Sequence, residues 1–517
     1  MTRISRRGLL RTGAAAGVLA ATGLPLRAQQ AQRGGKITVG LSGANTSDNW
    51  DGRTHSDVYM ISAAQGAVFD SLTEVAADGS LVGELATDWE ASADAKVWTF
   101  NLRQGVTFHN GKPFNADDVM ESIALHQGED TKSGAKPLVE PIVEMKKTGE
   151  HQVQFTLAAG NADFPYLMSD YHLLIYPAGQ IEEAIAQGIG TGLYQVSSFE
   201  PGVRFVGTRV DSHYKDGDAG WFDEIEFIAI NDNTARMNAL LTGQVDAINR
   251  IDFKTEQLLK ANPSILIQEV TGNQHYTFPM LTNIAPFDDV NVRRALKYGV
   301  NRQEMVDKIL FGHGQVANDS PIGPANQYMA ELDPIPYDPD QSKYYLKQAG
   351  LDSLNIDLSA SSAAFESAVD AAQLYQASAA PSGININVVQ EPADGYWSNV
   401  WIKKPWCACY WSGRATEDWM FSSAYEEGVP WNDSQWDSDD NARFQSLLVE
   451  ARAELDSAKR RQMYGEMQTI LRDDGGVVIP MFANWVQAHN TRIGTPDQIG
   501  NLWQMDNSRM AERWWVA

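Results

Sequence analysis

The chain has 517 residues, 43% of them apolar and 21% charged. That is a globular composition long enough for about three domains, and it excludes a collagen, a coiled coil or a disordered chain. Its 66 acids outnumber 41 Lys and Arg, a formal net charge of −25, the opposite sign to the basic footprint of a free-standing nucleic-acid binder. Two cysteines cannot build a disulfide scaffold, and none of the nine histidines lies at i,i+3 or i,i+4 from another, so pre-spaced metal motifs are absent.

At the N-terminus, Ser5-Arg6-Arg7-Gly8-Leu9-Leu10-Arg11 sets an arginine pair before a weakly apolar stretch, Gly13 to Leu24, that Pro25 ends. The stretch is too short to span a bilayer, which takes about twenty helical residues. It reads as a bacterial twin-arginine export signal over residues 1–28, cleaved near Ala28. Loss of its five arginines leaves 36 basic residues against 66 acids, a net −30 for the exported chain.

Beyond the signal, short strands and helices interleave. Ile37, Val39 and Leu41 alternate with polar neighbours, as do Val153, Phe155 and Leu157; 97–102 and 224–230 also read as strands. A helix is expected from Asn115, with Asp117 and Asp118 at the positive end of its dipole. Another follows Asn291, a plausible cap, with Val292, Ala295, Leu296, Gly299 and Val300 on one face. After Asp440 come two helices, striped by Phe444, Leu447, Leu448 and Ala451 and by Met463, Met467, Ile470 and Leu471, the second capped near Asp456-Ser457. The Pro/Gly/Asp-rich segments 318–340 and 379–395 read as long surface connections. Interleaving of this kind points to α/β layers.

Enzyme signatures are missed one by one. Gly40-Leu41-Ser42-Gly43-Ala44 fails the nucleophile elbow at its last position, Gly188 to Leu193 fails the dinucleotide fingerprint, and no phosphate-cradling loop occurs. Cys407 and Cys409 lie two apart in a predicted strand, as buried thiols or a local disulfide in an oxidising compartment, with a redox or metal pair as the sharper alternative. Between 397 and 436 the chain crowds nine Trp and Tyr residues, Trp397, Trp401, Trp406, Tyr410, Trp411, Trp419, Tyr425, Trp431 and Trp436. Rigid, amphipathic contact area at that density suits the wall of a ligand pocket.

Two stretches give the chain a family likeness: Phe69-Asp70-Ser71-Leu72-Thr73-Glu74 through Asp78 to Glu90, and Trp98 through Phe114 followed by Ala116-Asp117-Asp118-Val119. With Thr191-Gly192-Leu193-Tyr194, Gly243-Gln244-Val245-Asp246 and Val292-Arg293-Arg294-Ala295-Leu296, they strongly resemble the family 5 extracellular solute-binding proteins, the dipeptide, oligopeptide and nickel receptors of ABC importers. Phe69, Leu72, Trp98, Phe100 and Phe108 of these motifs read as core, and Gly105 and Gly111 as turn residues.

The resemblance implies an α/β fold of two lobes around a cleft, with an additional α/β domain. One lobe would comprise 36–69, 190–276 and 491–517, the extra domain 70–189, and the second ligand-binding lobe 277–490. It further implies a periplasmic monomer that needs no cofactor and turns over nothing. Such a receptor captures a peptide or peptide-like solute by closure and delivers it to an inner-membrane permease and its ATPases; an anionic opine or sugar-like solute, or a nickel or metal chelate, is the alternative ligand. In the family the stretch after Trp411-Ser412-Gly413 faces the ligand, so Tyr410, Trp411, Ser412, Gly413, Arg414, Glu417 and Asp418, with Trp397 and Trp401, are the candidate ligand-binding residues. Peptide-binding members usually carry an aspartate directly after that triplet, where it holds the α-ammonium; here Arg414 stands there. A guanidinium repels an ammonium and suits a carboxylate or phosphate. Glu417 or Asp418 is then expected either to take the amine or to neutralise Arg414 in an ion pair.

Overall fold

A computed structural model describes residues 31–436 and 439–517; the export signal lies outside the described residues. Lys36–Leu41 forms a strand because Ile37, Val39 and Leu41 alternate into a fully buried layer. It pairs in parallel with Glu224–Ala229 on one side and Ala247–Ile248 on the other. Arg204–Arg209 and Tyr194–Glu200 extend the sheet antiparallel beyond Glu224–Ala229.

On the other side the sheet continues through two long strands. Val477–Asn490 pairs with Ala247–Ile248 and then, antiparallel, with Ile265–Pro279, whose 15 residues reach about 50 Å. The pairing shifts register twice. Ile265 to Thr271 face Asn490 to Asn484; after a shift between Thr271 and His275, His275 and Tyr276 face Phe482 and Met481; after a second between Tyr276 and Phe278, Phe278 and Pro279 face Val478 and Val477. Cys409–Trp411 and Gly314–Val316 pair with the second half only. Val486 and Ala488 belong to a core with Met237, Leu240, Ile248 and Leu259, whereas Val478 and Met481 belong to a core with Phe278, Leu296, Leu358 and Tyr375. The two long strands therefore join two separately packed halves.

A second sheet, antiparallel throughout, orders Ala86–Ala91, Val97–Leu102, Gln152–Leu157 and Ile142–Gly149. Phe100, Phe155 and Phe164 pack at 5.4–6.1 Å between ring centres beneath it. Phe69, Leu72, Trp98, Phe100 and Phe108 are all buried, as read from the sequence, and Gly105 (φ +77°) and Gly111 (φ +84°) hold left-handed turns. Asn115 caps Ala116–Ala124 in a full capping box with Asp118.

Some elements depart from expectation. Helix Val290–Gly299 is capped by Asp289, whose carboxylate accepts from the Asn291 N–H, so Asn291 lies inside the first turn. The segment 379–395 is not a loop: Ile384–Gln390 pairs in parallel with Leu354–Ala360 across helix Ala368–Ala379. Nor does the first half of 318–340 run over the surface, although 329–340 does. Asp319, Ile322, Asn326 and Tyr328 are buried, and Asp319 pairs with Arg302 while accepting from the Ile479 N–H. Charges met inside the fold disguised this segment as exposed. The helical pair Asp439–Ala453 and Ser457–Asp474 forms as predicted, with Asp456 capping the second.

The C-terminal tail is locked by charge. Lys215 Nζ lies 2.7 Å from Glu84 and 3.1 Å from Glu74 and Glu512, Arg509 Nη1 lies 2.9 Å from Glu84, and Arg513 Nη2 lies 2.8 Å from Glu74. Removing one cation leaves a buried carboxylate uncompensated, which costs about 3–5 kcal/mol. Arg509→Met is therefore expected to lower unfolding free energy by about that amount in urea melts, whereas loss of a surface pair such as Arg443 with Glu466, both half exposed, changes it by less than about 1 kcal/mol.

Candidate ligand-binding cleft

Where the long strands change register, the chain builds a cleft. One wall carries Gln65, Ser169, Asp170, Tyr171, Trp503 and Arg509, and the other Ala415 and Trp419, around about 30 Å³ of free space. Tyr171 meets Trp503 edge to face at 5.9 Å and lies tilted against His172 at 4.1 Å. Asp170 accepts from both the backbone N–H and Nδ1 of His172.

The facing wall hangs on one glycine. Gly413 holds φ +84°, and a Cβ there would fall 2.5 Å from Asn273 Cβ and 2.9 Å from its carbonyl oxygen. Asn273 lies at the register shift itself, and its Oδ1 accepts from the Ala325 N–H. Asn326 Nδ2 donates to the Arg414 carbonyl at 3.1 Å. Arg414 is thus set on the register shift and on the buried part of the 318–340 segment together.

Its guanidinium lies 5.3 Å from the ring centre of Trp411 and 5.6 Å from that of Trp419, and Nη1 donates to the Gly413 carbonyl at 2.8 Å. Nε is buried and finds no acceptor among the described residues. Burial pulls its pKa below the usual guanidinium value, opposed by the Tyr171, Asp170 and Tyr410 groups around it. The expected ion pair with Glu417 or Asp418 does not form. Glu417 is buried and accepts from the Tyr328 N–H at 2.6 Å, and Asp418 takes Arg452 at 2.9 and 3.1 Å. Helix Glu417–Ala424 carries both carboxylates into the interior, so neither lines the cleft.

The remaining candidates divide by depth. Trp397 and Tyr410 are exposed, in edge contact at 5.8 Å, with half-buried Ser412 beyond them. Trp401 and Trp411 lie deeper and both donate Nε1–H to Asp433 Oδ2, at 3.4 and 3.2 Å. Asp433 is buried, and burial pushes it up to about 6. Sequence reasoning missed this carboxylate, as it missed Asn273, Asp170, Tyr171 and Trp503, for none stands in a motif. Cys407 and Cys409 are free and buried, and burial raises both thiols, Cys407 to about 12, so neither is a ready thiolate. Only Cys409 lies in the strand. The one trio of close potential metal ligands among the described residues, Asp70, Glu84 and Glu512, already surrounds the Lys215 ammonium.

Away from the long strands, the two walls also touch where Asp163 pairs with Arg460 at 2.7 Å, both side chains nearly dry, and the Ala162 N–H donates to the Arg452 carbonyl at 2.6 Å.

The model of the bacterial extracellular solute-binding proteins, family 5, matches residues 80–433. The chain belongs to that family. Among relatives of this receptor, the dipeptide-binding protein of Escherichia coli K12 is 26% identical over 434 residues, 76% of this chain and 79% of the other. The nickel-binding periplasmic protein of the same organism is 30% identical over 300 residues, 56% of each chain. Among solved structures, AgaA of A. tumefaciens R10 in complex with agropinic acid superposes with a TM-score of 0.76 at 21% identity, covering 93% of this chain and 99% of that one. The fold is thus the two-lobe cleft of this family, and the receptor has no described helix long and apolar enough to cross a membrane.

One buried group of the receptor gives a pH signature. Burial pushes Glu417 up to about 7 from an ordinary 4.5. The folded state then holds that proton more tightly than the unfolded state. Its stabilisation is complete below pH 4.5 and is lost as pH rises through 7. Wild type is expected to lose on the order of 2–3 kcal/mol more stability than Glu417→Gln between pH 4.5 and 8, measured by denaturant unfolding. Parallel profiles would refute the assignment.

Proposed function

We propose that this receptor captures a peptide or peptide-like solute bearing a carboxylate, closes on it, and presents the closed form to a membrane permease driven by cytoplasmic ATPases, leaving the solute chemically unchanged. The lobes are taken as 36–69, 190–276 and 491–517 on one side and 277–490 on the other, with 70–189 as the additional domain. The observation that carries the reading is Arg414: a half-buried guanidinium at the cleft, with a buried Nε lacking any described partner and no neutralising acid from the helix that follows it. Such a group is stabilised by a carboxylate in its plane. Tyr410, Trp411, Trp397 and Trp401 supply the adjoining wall.

The same observation supports an anionic opine as the second reading, since an α-ammonium has no acid at position 414 to meet. A nickel chelate has less in its favour, because the single close acidic trio among the described residues is filled by Lys215.

The test begins with a thermal-shift screen of peptides, opines, oligosaccharides and nickel chelates, followed by calorimetry on the best ligand. A desolvated charge-assisted contact is worth about 1.5–3 kcal/mol. Arg414→Ala is therefore expected to weaken binding by roughly 10- to 100-fold with little change in melting temperature. Arg414→Lys restores only part. Equal affinity in wild type and Arg414→Ala overturns the anchor.

Export in folded form through the twin-arginine route, to a periplasmic monomer, is part of the reading. Changing Arg6 and Arg7 to lysine is expected to leave precursor in the cytoplasm. Undiminished periplasmic protein in that variant shows another route.

A further inference from the structure

The cleft wall opposite Arg414 carries an unmet charge of its own. Asp170 follows helix Phe164–Leu167 and is fixed by backbone bonds on both sides. Its N–H donates to the Leu167 carbonyl at 3.1 Å, and its carbonyl accepts from the Leu173 N–H at 2.9 Å. Leu173, Leu174 and Ile175 are buried directly after it, so the turn stands on the core. The side chain is held as firmly. Oδ1 accepts from the His172 backbone N–H at 3.0 Å and from Nδ1 at 2.6 Å. A neutral imidazole with its proton on Nδ1 makes that contact, so the bond needs no charge on His172. The ring is pinned in turn, since a Cβ at Gly134 would fall 2.5 Å from its Nε2.

Asp170 is 6% exposed, and its second oxygen, Oδ2, accepts from no donor among the described residues. It lines the free space of the cleft with Tyr171, Trp419, Trp503 and Arg509. Arg509, the cation in that lining, is already spent on Glu84 and Glu512. What remains is one carboxylate oxygen beside three aromatic rings. A carboxylate left unmet in a dry site is costly, and a cation that enters among aromatic faces gains from their quadrupoles as well. The space, about 30 Å³, has room for a group of ammonium size. Arg414 borders it from the other side. The guanidinium lies 5.6 Å from the centre of the Trp419 ring, and Ala415, the next residue, lines the space with Asp170. Opposite charges thus face one cavity, and among the described residues they form no ion pair with each other.

We infer that Asp170 is the acceptor for an ammonium group of the solute, so that the cleft selects a zwitterion, its carboxylate on Arg414 and its ammonium on Asp170. This deepens the proposed function and rests on its Arg414 anchor. The acid that position 414 lacks is supplied from the opposite wall. A solute with carboxylates alone brings like charge to Asp170, which works against it.

Asp170→Asn keeps an oxygen for His172 and removes the charge; Asp170→Glu keeps the charge and moves it. Both variants, Arg414→Ala and wild type are compared by calorimetry and thermal shift. The probes are Ala-Ala and Ala-Ala-Ala, each with its N-acetyl form, which lacks the ammonium, and its C-terminal amide, which lacks the carboxylate. Wild type is expected to bind each free peptide on the order of 10- to 100-fold more tightly than its N-acetyl form. Asp170→Asn is expected to melt as wild type does and to lose that preference; Asp170→Glu recovers part. Arg414→Ala loses instead the preference for free peptide over amide. A merely structural Asp170 predicts the reverse, a lower melting temperature with free and acetylated peptides weakened alike. The wild-type comparison holds whether or not a variant folds. Undiminished preference in Asp170→Asn, equal binding of free and N-acetyl peptides by wild type, or no binding of any probe by wild type overturns the ammonium site. If Arg414→Ala loses its preference while Asp170→Asn keeps its own, the proposed function stands and this inference falls. If Arg414→Ala keeps every affinity, the anchor of the proposed function falls, and the two-point grip with it.

Discussion

The pairing of Ile265–Pro279 with Val477–Asn490 is the constraint on which the rest depends. Backbone hydrogen bonds must be satisfied along both strands, and the change of register lets one ladder serve two cores with different side-chain demands. On one side of the shift the strands feed the core around Leu240 and Ile248; on the other they feed the core around Phe278 and Tyr375. Covalent continuity between the halves is thereby concentrated in two strands, the simplest hinge a chain can make. The residues at the shift are the ones whose placement is common to both halves, and Asn273 is one of them.

The site inherits its precision from that point. Gly413 packs so closely on Asn273 that no other residue fits, and the segment carrying Asn326 clamps the Arg414 carbonyl. The guanidinium is therefore aimed by backbone contacts, its Nη1 spent on the Gly413 carbonyl and its Nε left without an acceptor among the described residues. Beneath the aromatic wall, Asp433 orients Trp401 and Trp411 through their indole N–H groups, so the exposed rings rest on an ordered layer. Rigid anchors of this kind lower the entropy spent on binding.

Much of this was legible beforehand, because it is periodic or punctuated. Alternation at Ile37, Val39 and Leu41, the Asn115 capping box and the stripe at Phe444 to Ala451 are local patterns that burial alone explains. What escaped is non-local. Asp319 and Asn326 look solvated in sequence, but their partners Arg302 and the Arg414 carbonyl arrive from 17 and 88 residues away. Glu417 and Asp418 sat close enough to Arg414 to promise an ion pair, and helix geometry carried them inward instead, to Tyr328 and Arg452.

The contact between Asp163 and Arg460 has a consequence for affinity itself. The arginine also lies over the rings of Tyr328 and Tyr464, so it is dry and costly to uncover. If the halves part about the long strands, as the proposed capture by closure requires, both charges meet water, which repays part of the lost pairing. The pair therefore weighs in the balance between open and shut forms before any solute arrives. If only a tenth of the unliganded molecules are shut, apparent affinity is roughly tenfold weaker than the intrinsic value. A residue far from the solute, by setting that fraction, adjusts the concentration at which the importer starts to fill without altering what it recognises.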